Sequence, residues 1–310
     1  MPIALPPLHC ITIGNFDGVH RGHQALLRRA REVAGATGRV TAVTFDPHPM
    51  RLLRPEAAPP TVLTMPDRRQ ALLAGGADEV RVLQVDRSLL EQDAAAFIRS
   101  LHADLRFDAI VEGPDFRFGK GRHGDLALLQ REGGALGFDV IPVEPVRVAL
   151  SDGASAPASS SLLRWLLSHG RVEDAARVLG RVYGFAGVVV RGDQRGRRIG
   201  WPTANVEFGD RHIPMDGVYA GIATLPDGSR ARAAISVGTK PTFGEAERTV
   251  EAFMVDREMP LDRYGWVLAI TFERWLREQA RFETLEPLLA QMRRDVACTR
   301  KVVTLEAASP

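Results

Sequence analysis

The spacing of apolar residues changes character once along this chain of 310 residues, near Tyr183, and that change limits the fold more than any other feature. Before it, strand-like runs alternate with helix-like stripes. Ile11 to Gly14 reads as the end of a strand, Leu26, Ala30 and Val33 fall on one helical face, and Val40 to Phe45 reads as a second strand. The alternation continues through a helix around Gln70 to Leu73, a strand Val80 to Val85, a helix Asp93 to Leu101 and a strand Phe107 to Val111. Such units build a parallel sheet with helices on both faces. Ligands of these sheets bind beyond the carboxyl ends of the strands, where Asn15 and His20 would lie.

After Tyr183 the helical stripes give way to β-rich runs at Phe185 to Val190, Gly217 to Thr224, Ala231 to Val237, Val250 to Val255 and Trp266 to Phe272. Leu225-Pro226-Asp227-Gly228 marks a turn between two of them. Several short strands closed by a helix from about Leu285 to Thr299 predict a small antiparallel barrel. Between the two regions, Leu150 to Ser161 is a Ser- and Ala-rich loop feeding helical segments at Ser159 to His169 and Val172 to Leu179. The chain is longer than one core usually supports. The expectation is therefore an α/β domain over 1–183, including the helical connector, and an all-β domain over 184–310.

Composition narrows the function classes. The chain is 45% hydrophobic and 25% charged, with no apolar run long enough to span a bilayer. The start, Met1 to Pro7, has neither the basic residues nor the apolar stretch of a secretory signal, so a cytoplasmic protein without a membrane partner is expected. A net charge of +2 argues against a nucleic-acid partner held by bulk charge and favours a small anion. Cys10 and Cys298 have no metal-ligand spacing and read as buried free thiols.

Asparagine occurs twice and lysine three times against 37 arginines, so each asparagine stands against a compositional bias. Each lies in a segment suited to nucleotide phosphates. Gly14-Asn15-Phe16-Asp17-Gly18-Val19-His20-Arg21-Gly22-His23 runs from a strand through a Gly-containing turn into a helix, so backbone N–H groups and the positive helix end face one point. His20 and His23, three apart, lie on the same side as that point. Gly187 to Asn205 reads as a strand, an Arg/Gly loop from Arg191 to Arg198 and then Gly200-Trp201-Pro202-Thr203-Ala204-Asn205. Its glycines let N–H groups close over phosphates, and Thr203 and Asn205 offer neutral oxygens for Mg²⁺. Glu251 lies inside an apolar strand, where a carboxylate needs a reason, and a kinase needs a base. Gly119-Lys120-Gly121-Arg122-His123-Gly124 fits a dinucleotide-binding spacing but lacks the tight strand-to-helix turn.

The first segment resembles the nucleotidyltransferase signature of the bacterial bifunctional riboflavin kinase/FMN adenylyltransferase family. Three stretches follow it in the family's order: Thr44-Phe45-Asp46-Pro47-His48-Pro49, Asp115-Phe116-Arg117-Phe118-Gly119 and Ser159-Ser160-Ser161-Leu162-Leu163-Arg164. Pro202-Thr203-Ala204-Asn205 resembles the kinase motif, with Trp201 where Phe is usual, and Glu251 matches the family's catalytic glutamate. Gly238 to Phe243 and Arg274 to Glu278 resemble neighbouring segments, departing from the pattern at Ser236 and Gln279.

The resemblance implies a Rossmann-like nucleotidyltransferase domain followed by a riboflavin kinase-like barrel. It implies ATP as substrate of two reactions, Mg²⁺ as cofactor, and riboflavin and FMN as the other substrates. It further implies that Gly14, Asn15, Phe16, Asp17, Gly22, Ser160, Ser161 and Arg164 bind ATP for adenylylation, with His20 and His23 catalytic. His48, Pro49, Asp115 and Phe116 would contact the flavin. Gly192, Arg197, Gly200, Pro202, Thr203 and Asn205 would bind ATP in the kinase, Thr203 and Asn205 would hold the metal, and Glu251 would be the base. Two other readings remain open at this level. One is an adenylyltransferase for another phosphorylated acceptor, such as a pantetheine phosphate, with the barrel as accessory. The other is a flavin-binding regulator with a degenerate kinase half, against which the intact Thr203, Asn205 and Glu251 count.

Overall fold

Two cores on opposite faces of one sheet account for the first half of the chain. The structure is a computed structural model and describes residues 7–240, 247–258 and 263–305. Contacts group the chain into two units, 1–149 with 154–160, and 150–153 with 161–310. The first runs β1 (His9–Ile13), α1 (Arg21–Ala34), β2 (Arg39–Asp46), α2 (Met50–Leu53), α3 (Met65–Ala74), β3 (Glu79–Gln84), α4 (Arg87–Glu91), α5 (Ala94–Leu105), β4 (Ala109–Glu112), α6 (Leu126–Leu136) and β5 (Asp139–Pro142). A hairpin, β6 (Arg147–Ala149) and β7 (Ser155–Pro157), follows.

The five main strands pair in parallel in the order β3-β2-β1-β4-β5. Alternate side chains of a strand point to opposite faces. Cys10, Val40, Ala42, Val80, Ala109 and Val111 therefore pack with Leu27 and Ala30 of α1 and Leu72 of α3, while Ile11, Ile13, Val43 and Ile110 pack with Phe97 and Ile98 of α5 and Leu129 of α6. The predicted strands and helices lie at these positions, with the short α2 and α4 and the longer α6 and β5 added. Cys10 is buried and its thiol is pushed up to about 12 by that burial, whereas Cys298 is exposed, contrary to expectation, because it falls on the solvent side of the last helix.

The second unit takes in residues 150–153, then α7 (Ser160–Ser168) from Ser161 onward, and α8 (Val172–Leu179). It continues through β8 (Tyr183–Val190), α9 (Arg195–Arg198), β9 (Ala204–Val206), β10 (Gly217–Thr224), β11 (Arg230–Lys240), β12 (Glu247–Val255), β13 (Val267–Arg277) and α10 (Leu285–Val302). Six strands close a barrel in the order β10-β11-β12-β9-β8-β13, every pair antiparallel. The turn expected at Leu225 to Gly228 joins β10 to β11, with Gly228 at φ 79° and its N–H donating to Leu225 O over 2.9 Å. Contacts place α8 with the barrel, where Val172, Ala175 and Val178 are fully buried. Glu173 of α8 pairs with Arg274 of β13 at 3.0 Å. Of the expected segment Gly238 to Phe243, Pro241, Thr242 and Phe243 lie outside the described residues.

Candidate active sites

The turn from β1 into α1 is held in a conformation that its residues would not adopt unaided. Phe16 and Val19, neither of them glycine, have φ of 48° and 40°, and both are buried. Left-handed backbone at bulky residues costs on the order of 1–3 kcal/mol each and persists only where surroundings impose it. Here the surroundings are identifiable. The Asp17 carboxylate accepts the Val62 N–H at 3.0 Å and the Leu63 N–H at 2.9 Å, and Ser160 Oγ donates to Asp17 O at 2.7 Å. Gln24 Nε2 donates to Val19 O at 2.9 Å, and the Arg68 guanidinium, 5% exposed, lies 3.9 Å from Asp17. Asp17, expected at the nucleotide, spends its oxygens on the 62–63 backbone.

His20 caps α1, its Nδ1 accepting the His23 N–H at 3.4 Å. The two imidazoles stack with centroids 3.6 Å apart, and Phe16 meets His23 edge-on at 5.0 Å. Gly22 sits in a tight place: a Cβ there would lie 3.0 Å from Ala158 O and 3.1 Å from the His20 ring. Burial, then the neighbouring His20 and the Arg68 charge, hold the His23 pKa well below the usual imidazole value, so the ring is neutral near pH 7. Asn15 Oδ1 and His23 Nδ1 are buried without a hydrogen-bond partner in the structure. Buried polar atoms are normally satisfied, so two orphans together mark a place for a ligand's polar groups.

Asn15 also lines a cavity of about 490 Å³, together with Gly14, His48, Pro49, Asp115 and Phe116, whereas His23 lies outside that lining. All four residues expected at the flavin thus line one cavity with the start of the phosphate turn. His48 Nδ1 accepts the Met50 N–H at 3.1 Å, and Phe116 stacks on Phe118 at 5.1 Å. Residues 119–124 form a short 3₁₀ turn closed by a Phe118–Gly124 bridge, not a dinucleotide turn. Ser160 joins the first unit through Asp17, whereas Ser161 and Arg164 stand on α7 and group with the second.

In the second unit, β9 pairs with β12 so that Asn205 lies opposite Glu251. Thr203 Oγ1 donates to Glu251 Oε2 at 2.9 Å. Gly192 leaves room for the Asn205 amide, whose Nδ2 would lie 2.3 Å from a Cβ at that position. Gly196, Trp201, Thr203 and Glu251 line a cavity of about 350 Å³. Trp201 packs on Phe253 at 4.7 Å, so the indole occupies the aromatic position expected for Phe. Ser236 and Gln279, the two departures from the family pattern, are partners across the same cavity: Gln279 Nε2 donates to Ser236 Oγ at 3.1 Å. Gly200, Pro202 and Arg197 belong to the segment joining β8 to β9.

Sequence reasoning missed three features. Met292 and Val296 of α10 line the barrel cavity, which the amphipathic pattern of that helix could have suggested. Arg68 is buried beside Asp17 and carries no local signal. Glu112, 2% exposed at the end of β4, looked in sequence like any acid closing an apolar run.

A family model described as FAD synthetase matches residues 5–156, and one described as riboflavin kinase matches residues 179–303. The bifunctional riboflavin kinase/FMN adenylyltransferase of Pseudomonas fluorescens is 37% identical over 98% of this chain and 96% of the relative. That of Escherichia coli strain K12 is 34% identical over 94% and 91%. A solved structure described as a macrolide-efflux protein from Streptococcus pneumoniae superposes with a TM-score of 0.84, at 28% identity over 97% of each chain. Among the described residues no helix is long and apolar enough to cross a membrane. With both family models matched in series and full-length relatives above 30% identity, the chain belongs to the bifunctional riboflavin kinase/FMN adenylyltransferase family.

Proposed function

We propose that the family's two ATP-dependent activities divide between the two units, with riboflavin phosphorylated to FMN in the barrel and FMN adenylylated to FAD, with release of pyrophosphate, at the parallel sheet. Two observations support the assignment: Asn15, whose buried Oδ1 has no partner, lines the cavity with His48 and Phe116, and His23, whose buried Nδ1 has none either, stands in the first turn of α1. A neutral His23 protonated at Nδ1 donates to a phosphate oxygen, and the positive end of α1 lies at the same place. A phosphate oxygen of FMN bonds to the α-phosphorus of ATP as the bond to the bridging oxygen breaks and pyrophosphate leaves. No residue forms a covalent intermediate. The protein's work is placement and charge stabilisation.

In the barrel, Glu251 accepts the proton of the riboflavin 5′-hydroxyl as that oxygen bonds to the γ-phosphorus and ADP departs. The Thr203 hydroxyl orients the carboxylate through their 2.9 Å hydrogen bond. Thr203 and Asn205 supply the hard oxygen donors that Mg²⁺ prefers, and the missing Cβ at Gly192 leaves space at the Asn205 amide. Among the described residues no cluster of three His, Cys, Asp or Glu could hold a metal, so these neutral oxygens and the nucleotide phosphates would hold it. When bound, Mg²⁺ offsets the charge that builds between the β- and γ-phosphates.

The test is a time course with riboflavin and Mg-ATP. FMN rises first with ADP, then FAD with pyrophosphate; riboflavin bound without turnover would instead support a sensor.

A further inference from the structure

Glu112 is a buried acid that neither reaction uses. In the order β3-β2-β1-β4-β5, the direction of strand addition reverses between β1 and β4, and the crevice beyond such a reversal is where open parallel sheets hold ligands. Glu112 is the last residue of β4, the strand that pairs with β1 at that reversal. Its Oε1 accepts the Ile13 N–H at 2.5 Å and the Thr12 hydroxyl donates to it at 3.4 Å, so the side chain of β4 fastens the last residue of β1. Gly14 and Asn15 follow directly. Ile13, Gly14 and Asn15 line the 490 Å³ cavity, whereas Glu112 lies outside its lining.

Only one charge state suits this place. Burial drives the Glu112 pKa well above the ordinary carboxyl value, and the Ile13 N–H and Thr12 hydroxyl oppose that shift without cancelling it. Burial and these two neutral donors account for the shift, and Glu112 in turn helps to raise the Cys10 thiol on the neighbouring β1. A protonated carboxyl still accepts the Ile13 N–H through its carbonyl oxygen. An ionised one would place negative charge behind a site for two anionic substrates, where low polarisability makes it felt.

We propose that Glu112 is a positioning residue of the adenylyltransferase site, fixing the strand end from which Gly14 and Asn15 project, and that it makes FAD formation, but not FMN formation, fall on the alkaline side. The inference rests on the assignment of adenylylation to the first unit.

The experiment measures kcat/KM for FMN adenylylation and for riboflavin phosphorylation from about pH 6 to about pH 9.5 in the wild-type chain, Glu112→Gln and Glu112→Leu. In the wild type, adenylylation should fall about tenfold per pH unit once the carboxyl ionises, while phosphorylation, which shares Mg-ATP and a flavin, lacks that fall. Glu112→Gln keeps an oxygen for the Ile13 N–H and cannot ionise. Its adenylylation should stay within about twofold of wild type near neutrality and lose the alkaline fall. Glu112→Leu has no acceptor and should lower adenylylation throughout the range, with phosphorylation intact as the control for folding. The inference is overturned if Glu112→Gln follows the wild-type curve, or if wild-type adenylylation shows no alkaline fall of its own. Absence of FAD from the wild-type reaction would remove the assignment beneath it, and the inference with it.

Discussion

The two candidate sites are built by opposite means. The sheet site is a short strained turn, with Phe16 and Val19 in left-handed backbone, fastened by a buried carboxylate and closed by stacked imidazoles. The barrel site is a glycine-bearing loop beside a strand, with Glu251 only half-buried and hydrogen-bonded to Thr203. In the first, buried groups that cannot relax set the geometry; in the second, the paired strands β9 and β12 set it and the loop supplies the approach. A rigid turn suits a reaction whose catalyst mainly positions phosphates, and a partly solvated carboxylate suits one that must move a proton.

The sharpest separation should come from Glu251. Glu251→Gln keeps shape and removes the basic oxygen, so riboflavin phosphorylation should drop ~100-fold to ~10,000-fold while added FMN is still converted to FAD. Near-normal turnover would make the carboxylate structural and erase the contrast. Next in size, if His23 contacts the reacting phosphates as proposed, His23→Ala should cost FAD formation ~3 kcal/mol or roughly a hundredfold, with FMN formation unchanged. Equal loss of both activities in a folded variant would break the division.

Asp17 probes how the turn is built. Asp17→Ala leaves the N–H groups of Val62 and Leu63 without their acceptor in a buried place, which should lower the stability of the first unit by on the order of 2 kcal/mol. Denaturant unfolding checks the loss, and intact FMN formation confines it to the first unit. The smallest effect concerns where the barrel begins. We propose that residues 184–310 fold and phosphorylate riboflavin alone, but Val172, Ala175 and Val178 of α8 are fully buried in the second unit. A fragment starting at 161 should therefore melt about 5–10 °C higher than one starting at 184. Equal melting would mean that α8 adds nothing to the barrel.

What could be read from sequence was local. Continuous apolar runs located β1, β2 and β10 because those strands are buried on both faces, and a 3.6 period located α10 because that helix turns one face inward. The phosphate turn was legible because its glycines and histidines are chemically unusual within ten residues. What stayed hidden depends on distant partners. β9 has three residues and no room for a periodic signal, yet it closes the barrel between β12 and β8. The anchoring of Asp17 to the Val62 and Leu63 N–H groups leaves no local signal, because those residues lie 45 residues or more away. Ser236 and Gln279 look like two unrelated departures until they meet across a cavity, 43 residues apart.

The most direct test of two independent sites is a mixing experiment read by FAD formation from riboflavin and Mg-ATP. His23→Ala alone should stop at FMN, and Glu251→Gln alone should leave riboflavin unchanged. An equal mixture should make FAD, because one variant supplies the FMN that the other adenylylates. A mixture that makes no FAD, with each variant folded and inactive in both reactions, would contradict the account.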